Sequence, residues 1–266
     1  MTHCADAIVE QTIMKRLLST LLLFATCGLV PLFAQNSAPD ASSAKKSAVQ
    51  PYLTTDITSA YLWRGQRLAG VSIQPVMGIK WKGLNVYAWG NAQVAPPAGQ
   101  NPAKHEIDLF VKYQVAPWLN IGLKDVYVNT RGNGFLTWGH IGDASHGTDA
   151  IVAFTTRHFS AEWSTTILGH DGLNKNGKRS YSSYLLASVP FRISHVQFAA
   201  LVGVVPYYTS RYDDLSSGFH VNMLSLKAVY NVPLSQRYEL PVYSQLMVNP
   251  SNRRAYFQVG CKFKLF

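Results

Sequence analysis

The chain has 266 residues, of which 47% are hydrophobic and only 14% charged, with a formal net charge of +10. Its charged share is well below the roughly 25% of an average globular protein, while a mean hydropathy of +0.01 excludes a helical membrane protein. No run of five or more basic residues and no nucleic-acid motif accompanies the positive balance, so nucleic acid is not the expected partner.

In chain order, Met14-Lys15-Arg16 forms a basic patch ahead of the apolar run Leu17 to Thr26, and Leu32-Phe33-Ala34 precedes Gln35 as a cleavage site. This is the layout of an export signal over 1–34, with the translational start at Met1 or Met14. The competing reading is a buried helix or anchor. Removing 1–34 takes away Lys15, Arg16, Asp6 and Glu10 and leaves the balance at +10. Of three cysteines only Cys261 lies beyond the cut, which excludes an intramolecular disulfide framework. Residues 35–52, rich in Ser, Ala and Lys, read as a disordered periplasmic linker and 53–266 as one domain.

From Leu53 to Trp63 the odd positions are mostly apolar and the even ones mostly polar, the period of a strand between two environments. Arg64 to Gly70 reads as a looser connection to the second strand. Lys82-Gly83 signals a tight turn into a third strand, Leu84 to Ala92. After a Pro-rich loop, Ile107, Leu109, Val111, Tyr113 and Val115 share one face of the next strand. Leu119 to Val128 follows, with a phase slip at Lys124-Asp125 that predicts a β-bulge. A Gly-rich loop covers 129–148. Strands then follow at Asp149–Arg157, Phe159–Leu168, Ser180–Phe191, His195–Val205, Phe219–Val232, Leu240–Val248 and Tyr256–Phe266.

The pattern predicts an all-β fold: an up-and-down antiparallel transmembrane barrel of twelve strands, give or take a hairpin. Long and short connections alternate, and strand lengths approach the roughly 9–11 residues that cross a bilayer at a tilt. Tyr61, Trp63, Trp81, Trp118, Tyr207, Tyr208 and Tyr230 near strand ends suit an interfacial girdle, although aromatics are also common in any strand.

With these residues in hand, a resemblance can be named. Tyr61 followed by Arg64-Gly65, then Gln74-Pro75, then Gly83 with Tyr87 and Trp89, and the strand opening Glu106-Ile107-Asp108-Leu109, are similar to the TorF-like porins. The likeness covers about 54–130. It implies a barrel in the outer membrane of a Gram-negative bacterium, with a transport role, and brings no catalytic residue or cofactor. Phe266 provides the terminal aromatic expected by the barrel-assembly machinery, but it falls on the Lys262/Lys264 side of the last strand.

Asp56, Arg64, Glu106, Asp108, Lys112, Glu162, Lys227, Lys262 and Lys264 fall on the predicted lumen face. Charges there must be wet or paired, which allows either a pore lining or a salt-bridged plug. Asp56 is expected to meet Lys262 or Lys264 where the last strand closes on the first. Arg64 is expected at the outer mouth, level with Glu106 and Asp108. His140, Asp143, His146 and Asp149, in or beside one Gly-rich loop, match no strong metal motif, and the loop reads as solvated. His170-Asp171 near Ser164 lacks a nucleophile elbow, so no enzyme is expected. The expected role is passive diffusion of small polar solutes through an outer-membrane barrel. The alternatives are a closed structural or surface-binding barrel and, further off, a lipid-acting enzyme. Lipid, the assembly machinery and small solutes are the expected partners; no metal or cofactor is expected.

Overall fold

The computed structural model describes residues 48–95, 104–129, 134–136, 145–212 and 218–265. Within them the chain forms β1 (Gln50–Thr58), a short pair β2 (Tyr61–Trp63) and β3 (Gln66–Ala69), then β4 (Val71–Trp81), β5 (Leu84–Ala95), β6 (His105–Ala116) and β7 (Leu119–Val128). β8 (His146–Thr155), β9 (Ser160–Gly169), β10 (Ser183–Ile193), β11 (Val196–Val205), β12 (His220–Ser235), β13 (Tyr238–Asn249) and β14 (Arg254–Lys264) complete it. Twelve of these close into one antiparallel barrel in which each strand pairs with its neighbour in sequence, β1 lying between β4 and β14. The predicted antiparallel barrel of twelve wall strands is therefore observed. No described helix is long and apolar enough to cross a membrane. The proposed leader over 1–34, residues 35–47 of the linker and Phe266 lie outside the described residues.

Five short connections, those of β4–β5, β6–β7, β8–β9, β10–β11 and β12–β13, sit at one end of the barrel. At Trp81-Lys82-Gly83-Leu84, Lys82 and Gly83 both have positive φ, 45° and 85°, the two-residue turn whose twist matches a right-twisted hairpin. The long connections sit at the other end, here called the loop end, together with the four-residue β13–β14 turn, 250–253.

Side chains alternate across the wall with the period of two that strands impose. Met77, Ile79, Leu109, Val111, Leu123, Val152, Leu226 and Phe257 are exposed on the outer surface. Gln74, Asn91, Glu106, Asp108, Lys124, Asp149, Thr166, Asn222 and Gln258 are buried inside. A water-soluble barrel would reverse this partition. Trp81, Trp118 and Tyr230 are exposed near the short-turn end and Tyr207 near the loop end.

Three local expectations are corrected. The first strand begins at Gln50, inside the segment read as linker, because Gln50 to Leu53 pair with Met77 to Lys80 of β4. It ends at Thr58, not Trp63: the chain leaves the wall at Ser59-Ala60 and turns inward as β2–β3, so Tyr61 and Trp63 are not part of any girdle. β7 carries no bulge at Lys124-Asp125, since its register with β6 and β8 runs unbroken there. Lys124, Val126 and Val128 are all buried and inward. The apolar pair can face inward because the β2–β3 hairpin and nearby chain fill that half of the lumen.

Candidate functional site

The hairpin inside the barrel is built by the same turn chemistry as the one at Lys82-Gly83. Trp63 pairs with Gln66, and Arg64 and Gly65 between them have φ of 46° and 80°. Trp-basic-Gly thus occurs twice, once between two wall strands and once at the tip of a hairpin that enters the lumen. The bend that sends the chain inward is held at both ends. Gln258 of β14 donates to Thr58 Oγ1 at 2.5 Å and to the Ala60 carbonyl at 2.7 Å, and Ser72 Oγ donates to the Gly70 carbonyl at 2.9 Å.

At the tip, the Arg64 guanidinium donates to Tyr212 Oη at 2.9 Å and to Ser164 Oγ of β9 at 2.5 Å. It lies over the rings of Trp63 and Tyr184, 4.9 and 4.6 Å from their centroids. Asn222 of β12 donates to the Arg64 carbonyl at 3.0 Å, and Asn249 of β13 donates to the Gly65 carbonyl at 3.1 Å. Gly65 is required here: a Cβ would lie 2.2 Å from the Asn222 carbonyl oxygen. Tyr61 donates to Glu106 of β6 at 3.1 Å and packs at 5.2 Å on Trp89 of β5. The hairpin is therefore fastened to strands all around the wall.

Beside it, neighbouring strands carry a belt of paired charge. Lys124 of β7 reaches Asp108 of β6 at 3.8 Å and Asp149 of β8 at 3.6 Å. Asp149 also pairs with Arg211 at 3.5 Å and accepts from Thr166 at 2.7 Å. Lys124 is directly opposite Asp149, and Asp149 directly opposite Thr166, in the strand registers. Buried charge is costly unless so paired, and Lys124 with Arg211 balances Asp108 with Asp149, which keeps the belt close to neutral.

Space remains on both sides of the hairpin. A cavity of about 490 Å³ towards the loop end is lined by Gln66, Lys104, Glu106, His170 and Arg211 among others. A second of about 390 Å³ is lined by Tyr87, Phe110, Glu162, Leu201 and Gln245. Trp63 and Lys124 border both.

The sequence-predicted residues distribute as follows. Asp56 and Lys262 are register partners across the β1–β14 seam and form an ion pair at 3.6 Å. Lys112 pairs with Glu162 at 3.5 Å across the lumen. Glu106 pairs with Lys104 at 3.5 Å. Lys227 lies over the Tyr243 ring at 4.4 Å, and Lys264 is exposed at the short-turn rim. Arg64 is not at an outer mouth with Glu106 and Asp108 as its partners; it is carried into the lumen and held by hydroxyls and rings.

Asp149 lies in a strand, as expected, and His146 lies in the same strand β8 and not in the loop before it. His146 Nδ1 meets Asp125 at 2.6 Å, while Asp149 belongs to the belt; His140 and Asp143 lie outside the described residues. Asp171 braces its own loop, accepting from the backbone N–H of Gly172 and Ser182 and pairing with Arg179 at 3.9 Å. Ser164 serves Arg64. Sequence reading missed Lys124, Arg211, Tyr212, Asn222 and Asn249. The repeated Trp-basic-Gly was the signal that could have found the hairpin they surround. No protein-family model and no curated protein matches this chain.

Proposed function

We propose that this protein is an outer-membrane β-barrel of a Gram-negative bacterium whose lumen lets small polar solutes diffuse passively past the β2–β3 hairpin. The observation that carries the membrane part is the inverted partition: isoleucine, leucine, valine and methionine outside, aspartate, lysine and glutamine inside. Leaving apolar surface in water costs about 25 cal/mol per Å², and hydrocarbon removes that cost. The exposed Trp81, Trp118 and Tyr230 near one end suit a membrane interface, where an amphipathic ring is favoured. The resemblance of 54–130 to TorF-like porins points the same way. On this reading the short turns are periplasmic and the loop end extracellular. The diffusion part is supported by the two charged, partly polar cavities that share Trp63 and Lys124 in their linings.

The second reading, a closed barrel without conduction, is favoured by the hydrogen bonds that fasten Arg64 and Gly65 to β9, β12 and β13. Refolded protein in a planar bilayer separates the two. Discrete conductance steps are the expected result; silence from correctly inserted barrels, identified by heat-shifted gel migration, would leave the closed barrel.

A further inference from the structure

The two halves of the lumen treat charge differently. In the half nearer the loop end each carboxylate of the belt has a cation: Glu106 has Lys104, Asp108 has Lys124, and Asp149 has Lys124 and Arg211. In the half nearer the short turns, the inward positions of β4, β6, β10, β12 and β14 bring six cations: Lys80, Lys112, Arg192, Lys227, Lys262 and Lys264. Among the described residues, only Asp56, Glu162 and Glu239 stand against them on inward positions. Asp56 pairs with Lys262 while its charge also reaches Lys227, and Glu162 pairs with Lys112.

Lys80 and Lys227 form no ion pair among the described residues. Each is held by a ring: Lys80 lies 5.3 Å from the centroid of Tyr52, and Lys227 lies 4.4 Å from that of Tyr243. Gly260 makes room for the Tyr243 ring, since a Cβ there would come within 2.6 Å of it. A ring face attracts an ammonium group through its quadrupole and fixes its position, yet carries no net charge to cancel it. With six cations set against three carboxylates, Asp56 being shared by Lys262 and Lys227, the short-turn half therefore presents an excess of positioned positive charge to a mobile ion.

We propose that the pathway selects small anionic solutes, with Lys227 and Lys80 as the selecting residues at its inner end. The proposal rests on the diffusion reading and specifies its substrate class. A constricted lumen walled by low-dielectric protein concentrates the ion opposite in sign to its fixed charge. The neutralised belt at the other end adds no matching barrier to anions.

The test is the zero-current potential of the full-length refolded barrel across a potassium chloride gradient. The wild type should show the sign of chloride permeating faster than potassium. Lys227→Gln and Lys80→Gln should each move the potential towards zero, and Lys227→Glu should reverse its sign. Lys80 is exposed at the rim, so Lys80→Gln carries the test if substitution at Lys227 prevents insertion. Wild-type steps with potassium preferred, or with no preference, would overturn this selectivity and leave the diffusion reading standing. The same holds if the variants conduct with the wild-type potential. Absence of steps from correctly inserted wild-type barrels would overturn the diffusion reading itself, and anion selection with it.

Discussion

The side-chain amide of Asn249, the last residue of β13, donates a 3.1 Å hydrogen bond to the carbonyl of Gly65, the second residue of the hairpin turn inside the lumen. The same asparagine's Oδ1 accepts from the backbone N–H of Ser251 at 2.9 Å and of Asn252 at 3.2 Å. One side chain thus shapes the β13–β14 turn and holds the hairpin tip against the wall.

That contact makes Gly65→Ala the most direct disturbance of the hairpin. The left-handed backbone alone costs an alanine about 1–2 kcal/mol, and its Cβ would collide with the Asn222 carbonyl. The expected outcome is a barrel that still inserts but unfolds at lower temperature on a heat-modifiability gel, with larger or noisier conductance. An unchanged melting point and unchanged conductance would show that the tip is not fastened as described.

Arg64→Ala removes the guanidinium from between Trp63 and Tyr184 and releases Ser164 and Tyr212. Hydrogen bonds made by a charged group contribute about 1.5–3 kcal/mol, so stability should fall by roughly that amount. Because the side chain borders the cavity of about 390 Å³, single-channel conductance should rise. A fall in conductance would mean that the arginine keeps the passage open.

Val111 and Lys112 are adjacent in β6 and face opposite sides. Val111 is 49% exposed on the outer surface, while Lys112 turns inward to Glu162. Val111→Arg should impair insertion into lipid at a cost of about 2–4 kcal/mol near the bilayer midplane. Lys112→Ala should insert normally, losing at most about 1 kcal/mol from a partly exposed ion pair. Urea titration of refolded barrels, followed by tryptophan fluorescence, would compare them. Equal tolerance would contradict the membrane reading.

At the closing seam, Asp56 and Lys262 can be tested by a double-mutant cycle with Asp56→Asn and Lys262→Met. Both side chains remain partly exposed, so a coupling of only about 0.5–1 kcal/mol is expected. Zero coupling in the urea midpoints would mean that solvent screens the pair completely.

How far the sequence discloses this arrangement depends on which interactions are local. Strand parity is local, so Ile107 to Val115 revealed their face without reference to the rest of the chain. Turn chemistry is local too, and Lys82-Gly83 could be read directly. The inward bend at Ser59-Ala60 could not. Leu53 to Trp63 keeps the same alternation on both sides of it, because a hairpin in a wet lumen and a wall strand require the same period. The fate of Arg64 was hidden for a different reason. Its partners at Ser164 and Tyr212 lie 100 and 148 residues away, and no pairwise pattern in the chain marks them. Val126 and Val128 misled the phase of β7 because their apolar character answers to the hairpin beside them, not to the environment outside the barrel.

The hairpin also constrains the order of assembly. It lies between the first two wall strands, yet Tyr212, Asn222 and Asn249 hold it from 148, 158 and 184 residues further along. A chain delivered from its N-terminus presents the hairpin long before those partners exist, and loop closure over such spans carries an entropic cost that local pairing does not. Tyr61 can meet Trp89 and Glu106 early, but the Arg64–Gly65 tip gains its asparagine partners only once β12 and β13 are in the wall. The hairpin's anchor at Gln258 in β14 belongs to the strand that closes the ring. The contact that closes the ring, β14 against β1, thus also supplies the last of the hairpin's anchors, so ring closure and the final fastening of the hairpin are one event.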